Sequence, residues 1–142
     1  MKVSVPLAPA WLRWAGVGVV AAVIFYASIL TAPPETVLDT RLRLVPLDKW
    51  RHFLAYAAFG YALAYATTDW GTERQIVALA VVGATIGYGV GIELLQSQVG
   101  RTFSIVDAYA NGLGGVLVVP YYLLRPYLVF KPLGLFVGSL GE

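Results

Sequence analysis

The one histidine of this chain lies in a segment where acid–base side chains recur at helical spacing. In DKWRHFLAY, residues 48–56, Asp48, His52 and Tyr56 stand four residues apart. On a helix this spacing forms one continuous stripe. Imidazole exchanges protons near neutral pH, and a carboxylate one turn away could orient it. His52 is therefore a candidate base or metal ligand with Asp48 as its orienter. The alternative is an interfacial histidine bonded to Asp48, whose negative charge would interact favourably with the positive end of the helix dipole.

A second polar stretch, ELLQSQVGRTFSIVDAYAN at 93–111, contains two pairs of carboxylate and amide. Glu93 and Gln96 are three residues apart, and Asp107 and Asn111 are four apart. Either spacing puts both side chains on one helix face. A glycine-containing turn at 100–102 separates the two pairs. We therefore predict two helices that meet at a hairpin and present both pairs at the same end.

Glu93 is the strongest single candidate for chemistry. It stands inside an apolar helix, where a lone carboxylate is costly unless it is paired or protonated. Ionisable groups inside membrane segments usually serve a function. A structural ion pair with Arg101 is the alternative. The planar guanidinium of Arg101 could instead clamp a phosphate or carboxylate, with Gln96 positioning the ligand.

Local capping competes with function at the start of the following helix. Ser104 and Asp107 have the spacing of a capping box, which normally carries Glu or Gln at its last position. Capping alone could account for Asp107, but it provides no role for Asn111 one turn deeper. Lys49 and Tyr56 belong to the same group of polar side chains, although an aromatic residue such as Tyr56 is more typical of the core or of the membrane interface.

The composition places these side chains in a membrane protein. The chain has 142 residues, of which 58% are hydrophobic and 13% charged, and its mean hydropathy is +0.72. Average soluble chains carry about 25% charged residues. We therefore predict a single all-α domain over residues 1–142, multi-pass in the cell membrane. A net charge of +2 provides no basic stripe for nucleic acid, and the lack of cysteine excludes disulfides and thiolate chemistry.

Four apolar stretches approach the roughly 20 residues that a bilayer-spanning helix needs. They lie at about 11–30, 49–68, 74–98 and 105–124. The first is uncharged from 14 to 32, which favours a retained helix over a signal peptide. We predict a compact bundle of four transmembrane helices with an interfacial tail at 127–140. In an alternating bundle, the start of helix two, the end of helix three and the start of helix four share one side, which collects the polar side chains there.

Glycines indicate how closely these helices pack. Gly83, Gly87 and Gly91 recur every four residues in the third predicted helix, and residues 112–115 include three more in the fourth. Small residues at this interval let helices approach closely in lipid. We predict tight contacts along these faces, which could also support a homo-oligomer.

Three segments, in order, resemble those of the VanZ-like family, named for a protein associated with low-level teicoplanin resistance. DKWRHFLAY at 48–56, ELLQ at 93–96 and GRTFSIVDAYANGLGG at 100–115 follow the family's D-K-x-x-H-F-x-x-Y, E-x-x-Q and G-R-x-x-S-x-x-D-x-x-x-N-x-x-G patterns. The resemblance covers about residues 47–124. It implies a four-span membrane protein that acts at the cell envelope, and it assigns no reaction.

These observations lead to one functional hypothesis and one alternative. We predict a protein that acts on a lipid-linked or other envelope substrate and is connected, through the resemblance, with glycopeptide resistance. The alternative is a non-catalytic protein that binds or transports a lipid or glycopeptide. The candidate catalytic residues are His52, Glu93, Asp48 and Asp107, and the candidate substrate-binding residues are Arg101, Gln96, Asn111, Tyr56 and Lys49.

The predicted partners are membrane lipids or a lipid-linked anionic substrate, and the sequence leaves any cofactor unknown. A metal-assisted variant would use His52, Glu93 and Asp107, whose nitrogen and oxygen donors suit several divalent ions. No H-E-x-x-H motif supports that variant.

Overall fold

The computed structural model describes residues 2–30, 47–99 and 104–134, and it is mostly helical, as predicted. The helices are α1 (Ala10–Phe25), α2 (Leu47–Ala66), α3 (Arg74–Gln98), α4 (Ile105–Val116) and α5 (Val119–Leu124). A π-helical turn, Tyr26–Leu30, continues α1, and a short 3₁₀ turn, Arg125–Tyr127, follows α5. Two strands, β1 (Val3–Leu7) and β2 (Leu128–Pro132), complete the described elements.

The fourth predicted helix is divided into α4 and α5. The chain leaves regular α-helix at residues 117 and 118 and resumes at Val119, with Pro120 in the first turn of α5. Proline has no N–H to donate to the fourth preceding carbonyl, and its ring crowds that carbonyl. Pro120 is favoured at the beginning of a new helix for the same reason. The prediction of one continuous helix over 105–124 was therefore wrong at residues 117 and 118, where the helix is interrupted.

The described part of the C-terminal tail forms a strand. β2 pairs in parallel with β1, in a register that sets Val3 opposite Leu128 and Leu7 opposite Pro132. The hydroxyl of Tyr65 donates to the carbonyl of Pro6 at 3.0 Å, which ties β1 to α2. The sequence alone predicts an interfacial tail here and no strand, because pairing between segments about 125 residues apart leaves no local pattern in the sequence.

Two helical stretches are long and apolar enough to cross a membrane. They are Ala10–Leu30 and Arg74–Gln98, with mean hydropathies of 1.7 and 1.8. α2 begins with charged residues, including Lys49 and Arg51, and is rich in tyrosine, which lowers its hydropathy. α4 has only 12 residues. Of the four predicted spans, therefore, two meet this criterion by length and composition.

α2 runs parallel to α4, and α3 runs antiparallel to both. Residues near the start of α2 contact residues near the start of α4, as Lys49 does with Asp107. Gly89 of α3 faces both α2 and α4: a methyl group there would lie 3.1 Å from the ring of Tyr56 and from Cβ of Asn111. This alternation brings the start of α2, the end of α3 and the start of α4 to one end of the molecule.

The glycines that permit this packing are only partly those expected. A methyl group on Gly114 would overlap the carbonyl oxygen of Phe53, so α2 and α4 touch backbone to backbone. Gly83, Gly87 and Gly91 have no atom of another element within 4 Å of such a methyl group among the described residues. Their predicted tight contact therefore does not occur there, because the buried face of α3 is the neighbouring stripe that contains Gly89.

Candidate functional site

Three titratable side chains from three helices meet at this end of the molecule. His52 of α2, Glu93 of α3 and Asp107 of α4 each offer a nitrogen or oxygen atom, and these atoms lie within 4.8 Å of one another. Glu93 is fully buried, whereas His52 and Asp107 are half-buried. We call these three residues the polar cluster. The buried member of the cluster comes from α3, and the two partly accessible members come from α2 and α4.

His52 is held by an amide on the neighbouring helix. Its Nδ1 lies 2.9 Å from Oδ1 of Asn111, which is itself only 1% exposed. An amide oxygen can only accept, so in the neutral ring the proton lies on Nδ1 and the lone pair on Nε2. Asn111 thus orients the imidazole and selects its tautomer.

Lys49 and Asp107 form an ion pair between α2 and α4. Lys49 Nζ lies 2.5 Å from Asp107 Oδ1, and their side chains are only 18% and 15% exposed. The charge of Asp107 is therefore balanced by a cation three residues before His52. The proposed substrate-binding role of Lys49 and catalytic role of Asp107 are linked by this contact, since each charge helps to hold the other in a sparsely hydrated position.

Ser104 caps α4, but the capping box is completed from another helix. The Ser104 hydroxyl accepts from the backbone N–H of Asp107 at 3.2 Å. In a capping box the acidic side chain at that position returns to the backbone N–H of the serine. Here Ser104 N–H donates instead to Glu93 Oε2, at 3.4 Å. Capping therefore accounts for the backbone of Asp107, while its carboxylate is engaged by Lys49.

Gln96 and Tyr56 are buried and make contacts of another kind. Gln96 is 4% exposed and donates from Nε2 to the carbonyl of Ser28 in the π-helical turn, at 3.0 Å. It therefore joins α3 to the end of α1. Tyr56 is 1% exposed, and its hydroxyl has no hydrogen-bond partner among the described residues. Of the remaining predicted site residues, Arg101 lies outside the described residues, as does the side chain of Asp48.

An apolar groove on the accessible side was not anticipated. It has a volume of about 160 Å³ and lies between α2 and α4, with Lys49 at one margin. Its other lining residues are Trp50, Phe53, Ala110 and Leu113. The sequence indicates this groove only weakly, through two apolar residues that occur three positions apart on each of the two helices. Nothing local, however, indicates that the two pairs face each other.

The polar cluster can perform acid–base chemistry or hold a cation. Imidazole Nε2 can accept a proton, and Glu93 lies close enough to stabilise the resulting positive charge. One nitrogen and two carboxylate oxygens also form a donor set for a divalent transition metal. The contact between Asp107 and Lys49 competes with a metal ion for that carboxylate.

A comparison with known proteins adds no relative to this description. No family model, no curated protein and no solved structure matches the chain.

Proposed function

We propose that this chain is a multi-pass membrane protein of the cell envelope that performs acid–base chemistry on a lipid-linked anionic substrate. The observation that carries the proposal is the convergence of His52, Glu93 and Asp107 within 4.8 Å, from three different helices. Burying such groups is unfavourable unless they serve one another or a ligand. An enzyme site is one arrangement that repays that cost.

The proposed chemistry assigns the proton transfer to His52. Its Nε2 accepts a proton from a hydroxyl group of the substrate or from water, while Asn111 accepts from Nδ1–H at 2.9 Å. Glu93 stabilises the imidazolium that forms, because an opposite charge nearby favours the charged ring. Lys49 attracts the anionic group of the substrate, and Arg101 has the side chain to assist it, as the sequence analysis proposed.

The groove beside Lys49 supports a lipid-linked substrate. It is lined by the apolar side chains of Trp50, Phe53 and Leu113, and Lys49 is the charged residue among its lining. An alkyl or polyprenyl chain would lie on the aromatic and aliphatic side chains, and its anionic group would lie toward the polar cluster. This combination of apolar bed and few polar groups is typical of ligand sites.

A location in the membrane accounts for the apolar surface. Large apolar side chains remain exposed along α1, α3 and α4, for example Val19, Leu79 and Leu113 at 61% or more. Exposed apolar surface on this scale marks contact with lipid or with another protein. In the proposed arrangement α2 crosses beside α1 and α3, and α4 with α5 completes a fourth span despite the break before Pro120.

The resemblance to the VanZ-like family supports the same proposal. The residues that carry the resemblance include His52, Glu93, Asp107 and Asn111, which are also those that form the polar cluster and its support. Under this proposal the chain contributes to glycopeptide resistance. Its expression in a susceptible bacterium would raise the teicoplanin concentration needed to stop growth, and a Glu93→Gln variant would not.

The second candidate is a protein that binds the same lipid without breaking a bond. The ion pair between Lys49 and Asp107 favours it, because a carboxylate that is engaged by a lysine is less available to transfer protons. The groove serves either function equally.

The experiment that separates the two uses purified protein and a polyprenyl phosphate. Native mass spectrometry measures binding, and thin-layer chromatography measures conversion. If the enzyme proposal holds, wild type converts the lipid, and His52→Gln and Glu93→Gln bind it but do not convert it. Glu73→Gln, which removes an exposed carboxylate just before α3, is the matched control and should behave as wild type. Binding without conversion by every variant would instead support the second candidate.

A further inference from the structure

The three residues of the polar cluster form a donor set whose spacing is close to that of a metal site. His52 provides an imidazole nitrogen, and Glu93 and Asp107 provide carboxylate oxygens, all within 4.8 Å of one another. In a tetrahedral zinc site each ligand atom lies about 2.1 Å from the ion, so neighbouring ligand atoms lie roughly 3.4 Å apart. Movements of about 1.4 Å or less, which a side-chain rotation can supply, would therefore bring the three donors to such positions.

The donors are held on three helices before any ion arrives. Glu93 of α3 is fully buried, and the side chain of Asp107 of α4 is 15% exposed. His52 of α2 is half-buried. Ligands on regular helices lose little conformational freedom when they bind an ion. The two partly accessible members also give an ion a way to reach the buried carboxylate.

The hydrogen bond between His52 and Asn111 is an independent sign of metal binding. A histidine that binds a metal normally donates its other ring N–H to an oxygen acceptor, which fixes the ring and leaves the second nitrogen for the ion. Asn111 accepts from Nδ1–H at 2.9 Å, so Nε2 is the nitrogen left for an ion. The ring is therefore already in the tautomer that a metal requires.

Two buried hydrogen-bond donors beside the cluster have no acceptor among the described residues. They are the hydroxyl of Tyr56 and Nδ2 of Asn111, and both residues are 1% exposed. They meet over Gly89, one turn before Glu93 on α3: a methyl group there would lie 3.1 Å from the ring of Tyr56 and 3.3 Å from Nδ2 of Asn111. A zinc ion with three protein ligands keeps a fourth position for water. The oxygen of a bound water or hydroxide is the kind of acceptor that such donors need.

Lys49 should weaken the binding of an ion without blocking it. Its Nζ engages Oδ1 of Asp107, and the carboxylate has a second oxygen that can bind a metal. The positive charge of Lys49 repels a cation at this distance. Replacing Lys49 by a neutral residue should therefore raise the affinity for a metal, whereas a lysine that only stabilises the fold would have no such effect.

We infer that the polar cluster binds Zn²⁺ through His52, Glu93 and Asp107. Imidazole suits Zn²⁺, whereas Mg²⁺ prefers oxygen ligands and keeps several waters. An ion on Nε2 occupies the lone pair that takes up the proton in the proposed function, so Zn²⁺ would inhibit that reaction. The inhibition rests on the proposed function, and the binding of zinc does not.

Isothermal titration calorimetry of the detergent-purified protein, freed of metal by a chelator, measures zinc binding without any substrate. Wild type should bind one Zn²⁺ per chain and no Mg²⁺ at the same concentrations. His52→Gln and Asp107→Asn should each weaken the affinity at least tenfold, because each removes a ligand. Lys49→Met should raise it severalfold. Glu73→Gln, which removes an exposed carboxylate at the other end of α3, is the matched control and should bind zinc as wild type does.

The variants also show what would overturn the inference. Unchanged zinc binding in His52→Gln would place the ion elsewhere, and an equal loss in Glu73→Gln would show binding to acidic residues in general. Circular dichroism of the metal-free variants checks their folding. If a variant that lacks a ligand is unfolded, Lys49→Met decides, since an affinity that fails to rise there contradicts a shared carboxylate.

Lipid conversion, measured with and without Zn²⁺, separates this inference from the proposed function. A protein that binds zinc at the cluster but converts no lipid would support the inference and contradict the enzyme proposal. A protein that converts the lipid, binds no zinc and is not inhibited by it would overturn the inference alone.

Discussion

His52 Nδ1 lies 2.9 Å from Asn111 Oδ1, across the close contact between α2 and α4. Asn111 lies too deep in α4 to take part in capping that helix, and its hydrogen bond to His52 gives it a structural role. The same two helices are also joined by Lys49, three residues before His52, and Asp107, four residues before Asn111. Both contacts join α2 to α4, about one helical turn apart, so a change in the packing of these helices would alter both.

The tautomer of His52 can be measured directly, because the chain has only one histidine. We expect ¹⁵N spectra of histidine-labelled protein in mildly alkaline buffer to show a protonated Nδ1. In aqueous solution neutral histidine prefers the proton on Nε2, so Asn111→Leu should shift the population toward that form. Gln98→Leu, an exposed position at the end of α3, should leave it unchanged. A protonated Nε2 in the wild-type spectrum would contradict the proposed role of Asn111.

Breaking the ion pair between Lys49 and Asp107 should destabilise the protein more than a surface pair would. Both side chains are more than four-fifths buried. Removing one partner leaves the other charge poorly hydrated, and we expect Asp107→Asn to cost about 2 kcal/mol. Lys49→Met combined with Asp107→Asn should recover part of that loss. Unfolding of the four proteins in detergent measures the coupling; strictly additive losses would contradict an energetic link between the two residues.

Gly114→Ala should disrupt the contact between α2 and α4. Its methyl group would overlap the carbonyl oxygen of Phe53 and lie 3.0 Å from the backbone nitrogen of Ala57, and backbone cannot rotate away. We expect a loss of about 2 kcal/mol or more in the free energy of unfolding. Gly112→Ala is the control, because nothing lies within 4 Å of its methyl group among the described residues, and alanine favours helix. Equal melting temperatures for the two variants would contradict the close approach.

Asp69 should contribute stability that disappears in acid. Its carboxylate accepts from Arg13 at 2.6 Å, and this hydrogen bond holds the pKa of Asp69 below its usual value. A lowered pKa means that the contribution is present above the ordinary carboxyl range and is lost as the pH falls below about 4.

Because the Asp69 side chain is 48% exposed, the effect should be modest. We expect Asp69→Asn to be less stable than wild type by about 1 kcal/mol at neutral pH. That difference should narrow as the pH is lowered toward 3, in thermal unfolding series. A difference that grows in acid would contradict the assigned direction.

The longest helix shows what local sequence predicts well. Residues 74–98 were expected to be helical, and α3 is Arg74–Gln98. An apolar run of that length, with Asp69 and Gly71 shortly before it, carries its own signal. Nearness within the polar cluster also followed from sequence, because helical spacing and alternation of helices restrict where Glu93 and Asp107 can lie.

The sequence by itself determined the helical class, the apolar character and the set of polar residues that meet at one end. These depend on composition and on contacts between near neighbours in the chain. Only the tertiary structure decided that Asn111 of α4 bonds to His52 of α2, that Gly89 rather than the stripe from Gly83 to Gly91 packs against other described residues, and that β1 pairs with β2. Each of these depends on how distant segments face one another. A helix can turn any of its faces to a neighbour, and the choice is made by the packing of the whole molecule.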